Sequence, residues 1–221
     1  MLEINGEKFP NVMYAQKKEI DEAVRLMQPD LNISTTEFRQ YWERIYQILL
    51  RVYFGNLKVS KKNVGLTIVL RAANAGFLAM KERLLEYGMP VFTVWTARNE
   101  ISIQAEILRC NLPSKIPYGM SALILDLMCA TGTSSGITIQ ELKKRGFKDI
   151  TCVFGVASPE GLKVLRDNHL DVKNIVGFTG PNIGLNKKGY IIYLNTGKMV
   201  VGDVGDRWMG ITSDGNLLLS L

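Results

Sequence analysis

Apolar positions fall along this chain in two patterns. Short continuous runs stand at Leu66-Thr67-Ile68-Val69-Leu70, at 91–96, at Leu123-Ile124-Leu125 and at 150–156. Runs of this length between polar breaks predict strands, and the first has the β-branched character of a strand buried on both faces. Elsewhere the apolar residues recur at helical spacing. Phe38, Trp42, Ile45, Leu49 and Tyr53 make one stripe behind Ser34 and Glu37, which have capping-box spacing. Further helical patterns cover 77–87 and the segment of Ile139 and Leu142. The latter closes on Lys143, Lys144 and Arg145, which suit a helix C-terminus, and on Gly146, which suits a left-handed stop. Ser158-Pro159-Glu160-Gly161 opens another helix, with an N-cap, proline at the first position and an acid in the first turn. Residues 1–11 read as an irregular arm and 12–28 as a helix ending at Pro29-Asp30. Residues 91–108 read as a hairpin closed at Asn111-Leu112-Pro113, and 189–192 as a strand. Asn195-Thr196-Gly197-Lys198 reads as a hairpin turn and 202–207 as a tight acidic turn.

The chemistry concentrates where the run 123–125 ends. Asp126 follows it, then Leu127, Met128, Cys129 and Ala130, and then the small hydroxylated loop Thr131-Gly132-Thr133-Ser134-Ser135 before the next helix. Such a loop at a helix N-terminus aims backbone N–H groups and hydroxyls at one point, which suits a phosphate. It lacks the Gly-Lys-Ser/Thr ending of a Walker A loop and the Gly-x-Gly-x-x-Gly spacing of a dinucleotide fingerprint. A carboxylate one sugar away from a phosphate cradle suits the hydroxyls of a phosphorylated ribose, although an ordinary strand–helix turn would also read this way. Arg71 at the end of the strand 66–70 fits either a ligand anion or a structural ion pair. Arg98 fits either an anion or a solvated loop.

Net charge +6 and a sequence pI near 9.2 lean towards an anionic partner, and a polyphosphate meets that as well as nucleic acid does. The basic residues form no stripe interleaved with aromatics, so no nucleic acid is expected. Nearly half the residues are apolar, enough for a full core. Cys110, Cys129 and Cys152 are odd in number and lack metal-ligand spacing, so they are expected as free thiols. No apolar run approaches membrane-spanning length, and the first residues lack the basic-then-apolar order of a signal peptide. The expectation is a cytoplasmic protein with no membrane partner. His169, alone of its type, is expected to be structural at a helix end.

Residues 126–134 resemble the phosphoribosyl-diphosphate loop of phosphoribosyltransferases, and more narrowly the uracil phosphoribosyltransferase version, Asp-Pro-Met-Leu-Ala-Thr-Gly-Gly-Ser. Further blocks are similar in the same order between about 33 and 210. They include Ser34-Thr35-Thr36-Glu37-Phe38-Arg39, Leu70-Arg71-Ala72-Ala73, Arg98-Asn99-Glu100, Ser158-Pro159-Glu160-Gly161 and Gly202-Asp203-Val204-Gly205-Asp206-Arg207. Ala73 stands where the family has Gly, and Asn99 where it has Asp. The Pro-Gly turn of the family's base site is lost, and 192–201 is longer than its counterpart.

The resemblance implies an α/β fold: a phosphoribosyltransferase-like parallel sheet flanked by helices, in one domain over 1–221. It would have an N-terminal arm and helix (1–33), a flap hairpin (97–113) and a small C-terminal hood over the base (178–210). It implies phosphoribosyl transfer to uracil, giving UMP and diphosphate. Arg71 and Arg98 would meet the diphosphate, with magnesium (Mg2+) bridging it, and Asp126 would hold the ribose hydroxyls. Leu127, Met128, Cys129, Ala130, Thr131, Gly132, Thr133 and Ser134 would complete the phosphoribosyl site. Ile191, Gly202, Asp203 and Val204 would frame the base, Asp203 also reaching the phosphoribosyl substrate, and the long segment 192–201 would shape that pocket. A homodimer or higher homo-oligomer is implied too. The departures leave two alternatives: a non-catalytic paralogue that binds nucleotide or a partner subunit, and a transferase with altered base specificity.

Overall fold

The computed structural model describes residues 2–56, 63–70, 73–98 and 104–210, with only the backbone of Asn56 and Arg98. The chain begins with an antiparallel hairpin, β1 (Leu2–Ile4) and β2 (Glu7–Phe9), not with an irregular arm. Asn5 and Gly6 turn it with positive φ at both positions, the Asn-Gly signature of a tight hairpin. Next comes β3 (Val12–Tyr14), where a helix was expected; Val12 is buried and Met13 exposed, as strand alternation requires. The helix α1 (Lys18–Leu26) starts only afterwards, and a 3-10 turn (Pro29–Leu31) ends that layer.

Helix α2 (Thr35–Asn56) carries the expected capping box. Glu37 accepts from the Ser34 N–H at 2.9 Å and the Ser34 hydroxyl from the Glu37 N–H at 3.2 Å. Strand β4 (Val64–Leu70) leads to α3 (Asn74–Ala79) and α4 (Lys81–Tyr87), two short helices broken at Met80 where one was expected. Strands β5 (Val91–Arg98) and β6 (Ala105–Cys110) form the expected hairpin, with a register shift between Trp95 and Thr96.

After β7 (Ser121–Cys129) come α5 (Thr133–Lys144), β8 (Ile150–Ala157), α6 (Pro159–Asn168) and β9 (Lys173–Phe178). A small hairpin, β10 (Ile183–Leu185) and β11 (Ile191–Tyr193), and the helix α7 (Val204–Met209) complete the described chain. The 202–207 stretch is thus an N-cap and the helix it starts. Asp203 accepts from the Asp206 N–H at 3.0 Å, which lets the backbone coil instead of turning back.

The main sheet has seven strands in the order β3-β9-β8-β7-β4-β5-β6, all parallel except the β5–β6 pair. Every residue of β8 is buried, as befits a strand covered on both faces. One cover is α1 and α2, packed through Ile20, Trp42, Tyr46 and Leu49; the other is α5 and α6, packed through Ile139, Leu142, Leu162 and Leu165. Trp42 lies so close to the sheet that a Cβ on Gly155 would stand 2.2 Å from its ring. The three cysteines are free, and no helix among the described residues is long and apolar enough to cross a membrane.

The C-terminal hairpin and α7 are bound to the N-terminal layer. Arg207 donates to the carbonyls of Met27 (2.5 Å) and Val201 (2.9 Å), and its guanidinium lies 4.2 Å from the Phe38 ring centroid. Arg39 donates twice to the Trp208 carbonyl, and Lys198 pairs with Asp30 at 2.7 Å. Arg207→Ala strands two carbonyls of buried residues and removes a cation–π contact. It is expected to cost about 2–4 kcal/mol in urea unfolding, against under about 1 kcal/mol for breaking the exposed Lys198–Asp30 pair.

Candidate active site

The hydroxylated loop 131–134 is made by where β7 stops. The strand runs past Asp126 to Cys129, Gly132 adopts φ +75°, and α5 begins at Thr133. Gly132 gives the helix no side-chain cap, so the N–H groups of its first turn remain available to a ligand. Thr131 and Thr133 face each other, their hydroxyl oxygens 2.9 Å apart.

Helix α6 holds this loop from behind. The Ser158 N–H donates to the Cys129 carbonyl at 2.9 Å, and its hydroxyl donates to the Ala130 carbonyl at 2.6 Å. The same hydroxyl accepts from the Gly161 N–H at 2.9 Å, capping α6. Two glycines make the approach possible. A Cβ on Gly161 would lie 2.3 Å from the Ala130 oxygen, and one on Gly132 would lie 2.7 Å from the Gly161 oxygen.

Asp126 stands at the floor, with about 7% of its surface exposed. Burial is the largest influence on its carboxyl and pushes the pKa up to about 7. The Ser135 hydroxyl, 3.0 Å away, and the backbone N–H groups of Met128 and Leu127 oppose that rise. The Asp126 carbonyl accepts from the Tyr46 hydroxyl at 2.6 Å, tying the floor to α2.

These groups open into a cleft of about 1120 Å³. One wall is Val69, Leu70 and Asn74 with Trp95, Thr96, Ala97 and Leu108 of the β5–β6 hairpin. The loop, Ala130 and Met128 form the floor beside Asp126 and Ser135. The far wall is Lys187, Lys188 and Tyr190 of the β10–β11 turn with Asp203, Val204, Gly205 and Met209.

The sequence-predicted residues divide accordingly. Asp126, Met128, Ala130, Thr131, Gly132, Thr133, Ser134, Asp203 and Val204 meet in the cleft. Leu127 and Cys129 do not: they still belong to β7, and their side chains are buried in the core. Ile191 is buried on the core side of β11. Gly202 faces Pro29, whose Cγ would lie 3.1 Å from a Cβ there. Arg71, Asn99 and Glu100 lie outside the described residues, as does the 101–103 part of the flap; Arg98 ends β5, its backbone paired with Ala105.

The segment 192–201 was expected to shape the base pocket but turns away from the cleft. Its hairpin turn forms, with Gly197 at φ +68° and the Gly197 N–H donating to Tyr193, and it docks on the Pro29–Leu31 turn through Lys198 and Asp30. His169 is buried at the end of α6 beside Gly136 of α5, where desolvation lowers its pKa. Ser135, read as the last residue of the hydroxylated loop, also donates to Asp126. Sequence reading took Ser158 and Gly161 only as a helix start and missed that they seat the loop, and it did not single out Lys187 and Lys188, which line the cleft.

A seven-stranded, mostly parallel sheet with a hydroxylated loop after its central strand and an acid three residues before that strand ends defines a protein of the phosphoribosyltransferase fold. The model of the uracil phosphoribosyltransferase family matches residues 54–210, and the chain belongs to that family. It is 32% identical over 163 residues to a uracil phosphoribosyltransferase of Renibacterium salmoninarum, the alignment spanning 74% of this chain and 64% of that protein. In fold it is similar to the AQ2163 protein of Aquifex aeolicus, with a TM-score of 0.78 at 22% identity over 91% of this chain and 99% of that one.

Two outcomes follow from this geometry. Gly161→Ala drives a methyl into the Ala130 carbonyl, so it should destabilise the fold by about 1–3 kcal/mol, read by chemical unfolding. Asp126 binds its proton more tightly in the folded chain than its ordinary value of 3.8. The fold therefore retains a proton that the unfolded chain loses, and this residue's contribution makes stability fall as pH rises from about 4 to about 7. Asp126→Asn lacks that penalty, so the difference in Tm between variant and wild type should move in the variant's favour across the same window. A constant difference would remove the burial assignment.

Proposed function

We propose that the protein transfers the phosphoribosyl group of 5-phospho-α-D-ribose 1-diphosphate to uracil, giving UMP and diphosphate. The observation that carries this reading is the placement of Asp126 beside the hydroxylated loop 131–134 on the floor of one cleft. The loop would take the 5′-phosphate on its N–H groups and hydroxyls, and Asp126 would accept from the ribose hydroxyls. That acceptance favours the ionised carboxylate, so ribose-phosphate binding drives Asp126 towards deprotonation. At the anomeric carbon the base nitrogen bonds as the bond to the diphosphate oxygen breaks, through an oxocarbenium-like ribose, and the nitrogen's proton leaves to water or the departing diphosphate. Chemistry of this kind needs positioning and charge neutralisation more than a strong nucleophile. Arg71 and Arg98 are the residues proposed to meet the departing diphosphate.

Magnesium would enter this cleft as a cation carried with the diphosphate. Among the described residues no group of three His, Cys, Asp or Glu gathers to hold a metal, and Asp203 is the carboxylate available on the far wall. The cation would supply charge neutralisation on the leaving group, while Asp203 would orient it.

The withdrawal of Ile191 and Gly202 from the cleft favours a second reading, in which the same transfer uses a different base. Incubation with phosphoribosyl diphosphate, magnesium and each nucleobase in turn separates the two. Diphosphate release with uracil alone is the expected outcome. Release with another base moves the specificity, and stabilisation by UMP without turnover identifies a non-catalytic paralogue.

A further inference from the structure

The turn between β10 and β11 is Asn186-Lys187-Lys188-Gly189, and both lysines line the cleft. The turn holds its shape without their side chains. The Asn186 side-chain oxygen accepts from the N–H groups of Lys188 and Tyr190, each at 3.0 Å. The Gly189 N–H donates to the Asn186 carbonyl at 2.8 Å. The hairpin is fixed to the phosphate loop's own support, because the Leu185 N–H donates to the Glu160 carboxylate at 3.3 Å. Glu160 adjoins Gly161, the residue against which the Ala130 carbonyl rests. The turn that follows Leu185 is therefore held to the same helix start as the loop.

The charges in this region are unevenly placed. The loop 131–134 contains hydroxyls and N–H groups but no charged side chain. A dianionic phosphate seated there would meet only neutral donors and the helix dipole, with the acid Asp126 nearby. Neither the Lys187 nor the Lys188 ammonium has a hydrogen-bond or ion-pair partner among the described residues, whereas Lys198 of the same hood is paired with Asp30. Two exposed cations without partners thus share a cleft with a phosphate loop that has none of its own.

We propose that Lys187 and Lys188 form a phosphate clamp, reaching from the hood to the 5′-phosphate seated on the loop and supplying its counter-charge. This rests on the phosphoribosyl reading of the cleft. The lysines bind and position the substrate; they do not touch the bond that breaks. Because the hood brings them, the loop need not carry a basic residue.

Calorimetric titration of the full chain with ribose 5-phosphate, which has neither base nor diphosphate, tests the clamp. The double variant Lys187→Gln/Lys188→Gln should bind it about tenfold more weakly at low salt, with the loss shrinking as salt rises. Its Tm should match wild type, since the turn is held by Asn186, and the corresponding double arginine variant should restore binding. Unchanged affinity in the folded glutamine variant overturns the clamp and leaves the phosphoribosyl reading intact. A loss seen only with inorganic diphosphate, and not with ribose 5-phosphate, also overturns it. If wild type fails to bind ribose 5-phosphate, the reading and the clamp fall together. Lysine-dependent ribose 5-phosphate binding without diphosphate release on any base keeps the clamp and removes the proposed reaction.

Discussion

The site depends on one backbone contact, the seating of the Ala130 carbonyl against the start of α6. Strands β7 and β8 are neighbours, so the loops leaving them must cross within a few ångströms. Only a position without a Cβ lets the carbonyl come as near as it does to Gly161. Ser158 then uses both capacities of its hydroxyl, donating to the loop and accepting from the helix. A single residue thereby caps α6 and fixes the phosphate loop. The cradle's precision comes from behind it, and the side facing the ligand is left with unused donors.

The electrostatics of the cleft follow from the same arrangement. A loop pressed this closely into the sheet has room for small side chains, and its donors are N–H groups and hydroxyls. Burial holds the pKa of the Asp126 carboxyl well above the usual carboxylate range, against the opposing hydrogen bond from Ser135. Positive charge in the described cleft enters from outside the floor, on the hairpin turn that bears Lys187 and Lys188. Floor and hood thus differ in character: the floor carries neutral donors beside Asp126, and the hood turn carries two exposed cations.

What the sequence made legible was the part governed by neighbours in the chain. The capping box of Ser34 and Glu37, the N-cap at Ser158 and the apolar runs of β4 and β7 all express themselves within a few residues. The Asn5-Gly6 hairpin was equally local, but its strands are too short for their alternation to stand out. Leu127 and Cys129 were misplaced because a βα loop gives no local mark of where its strand ends; pairing with β8 carries β7 on to Cys129. The orientation of 192–201 depends on Asp30, far away in sequence, and no periodicity encodes that contact. Of the loop residues that the family resemblance named, Asp126, Met128, Ala130, Thr131, Gly132, Thr133 and Ser134 meet in one cleft. Of the residues it named for the base, Asp203 and Val204 line the cleft, while Ile191 is buried in the core and Gly202 faces Pro29.

The latch built by Arg207, Arg39 and Lys198 bears on how this protein's parts could be exchanged with those of its relatives. Its N-terminal members Met27, Asp30, Phe38 and Arg39 all precede residue 54, where the family match begins. The roof over the cleft is therefore not held by the family-matched segment alone. A hood transplanted from a relative would arrive without its moorings unless residues 27–39 travelled with it, and variation in the N-terminal layer becomes a means of re-aiming the far wall without altering any residue of that wall.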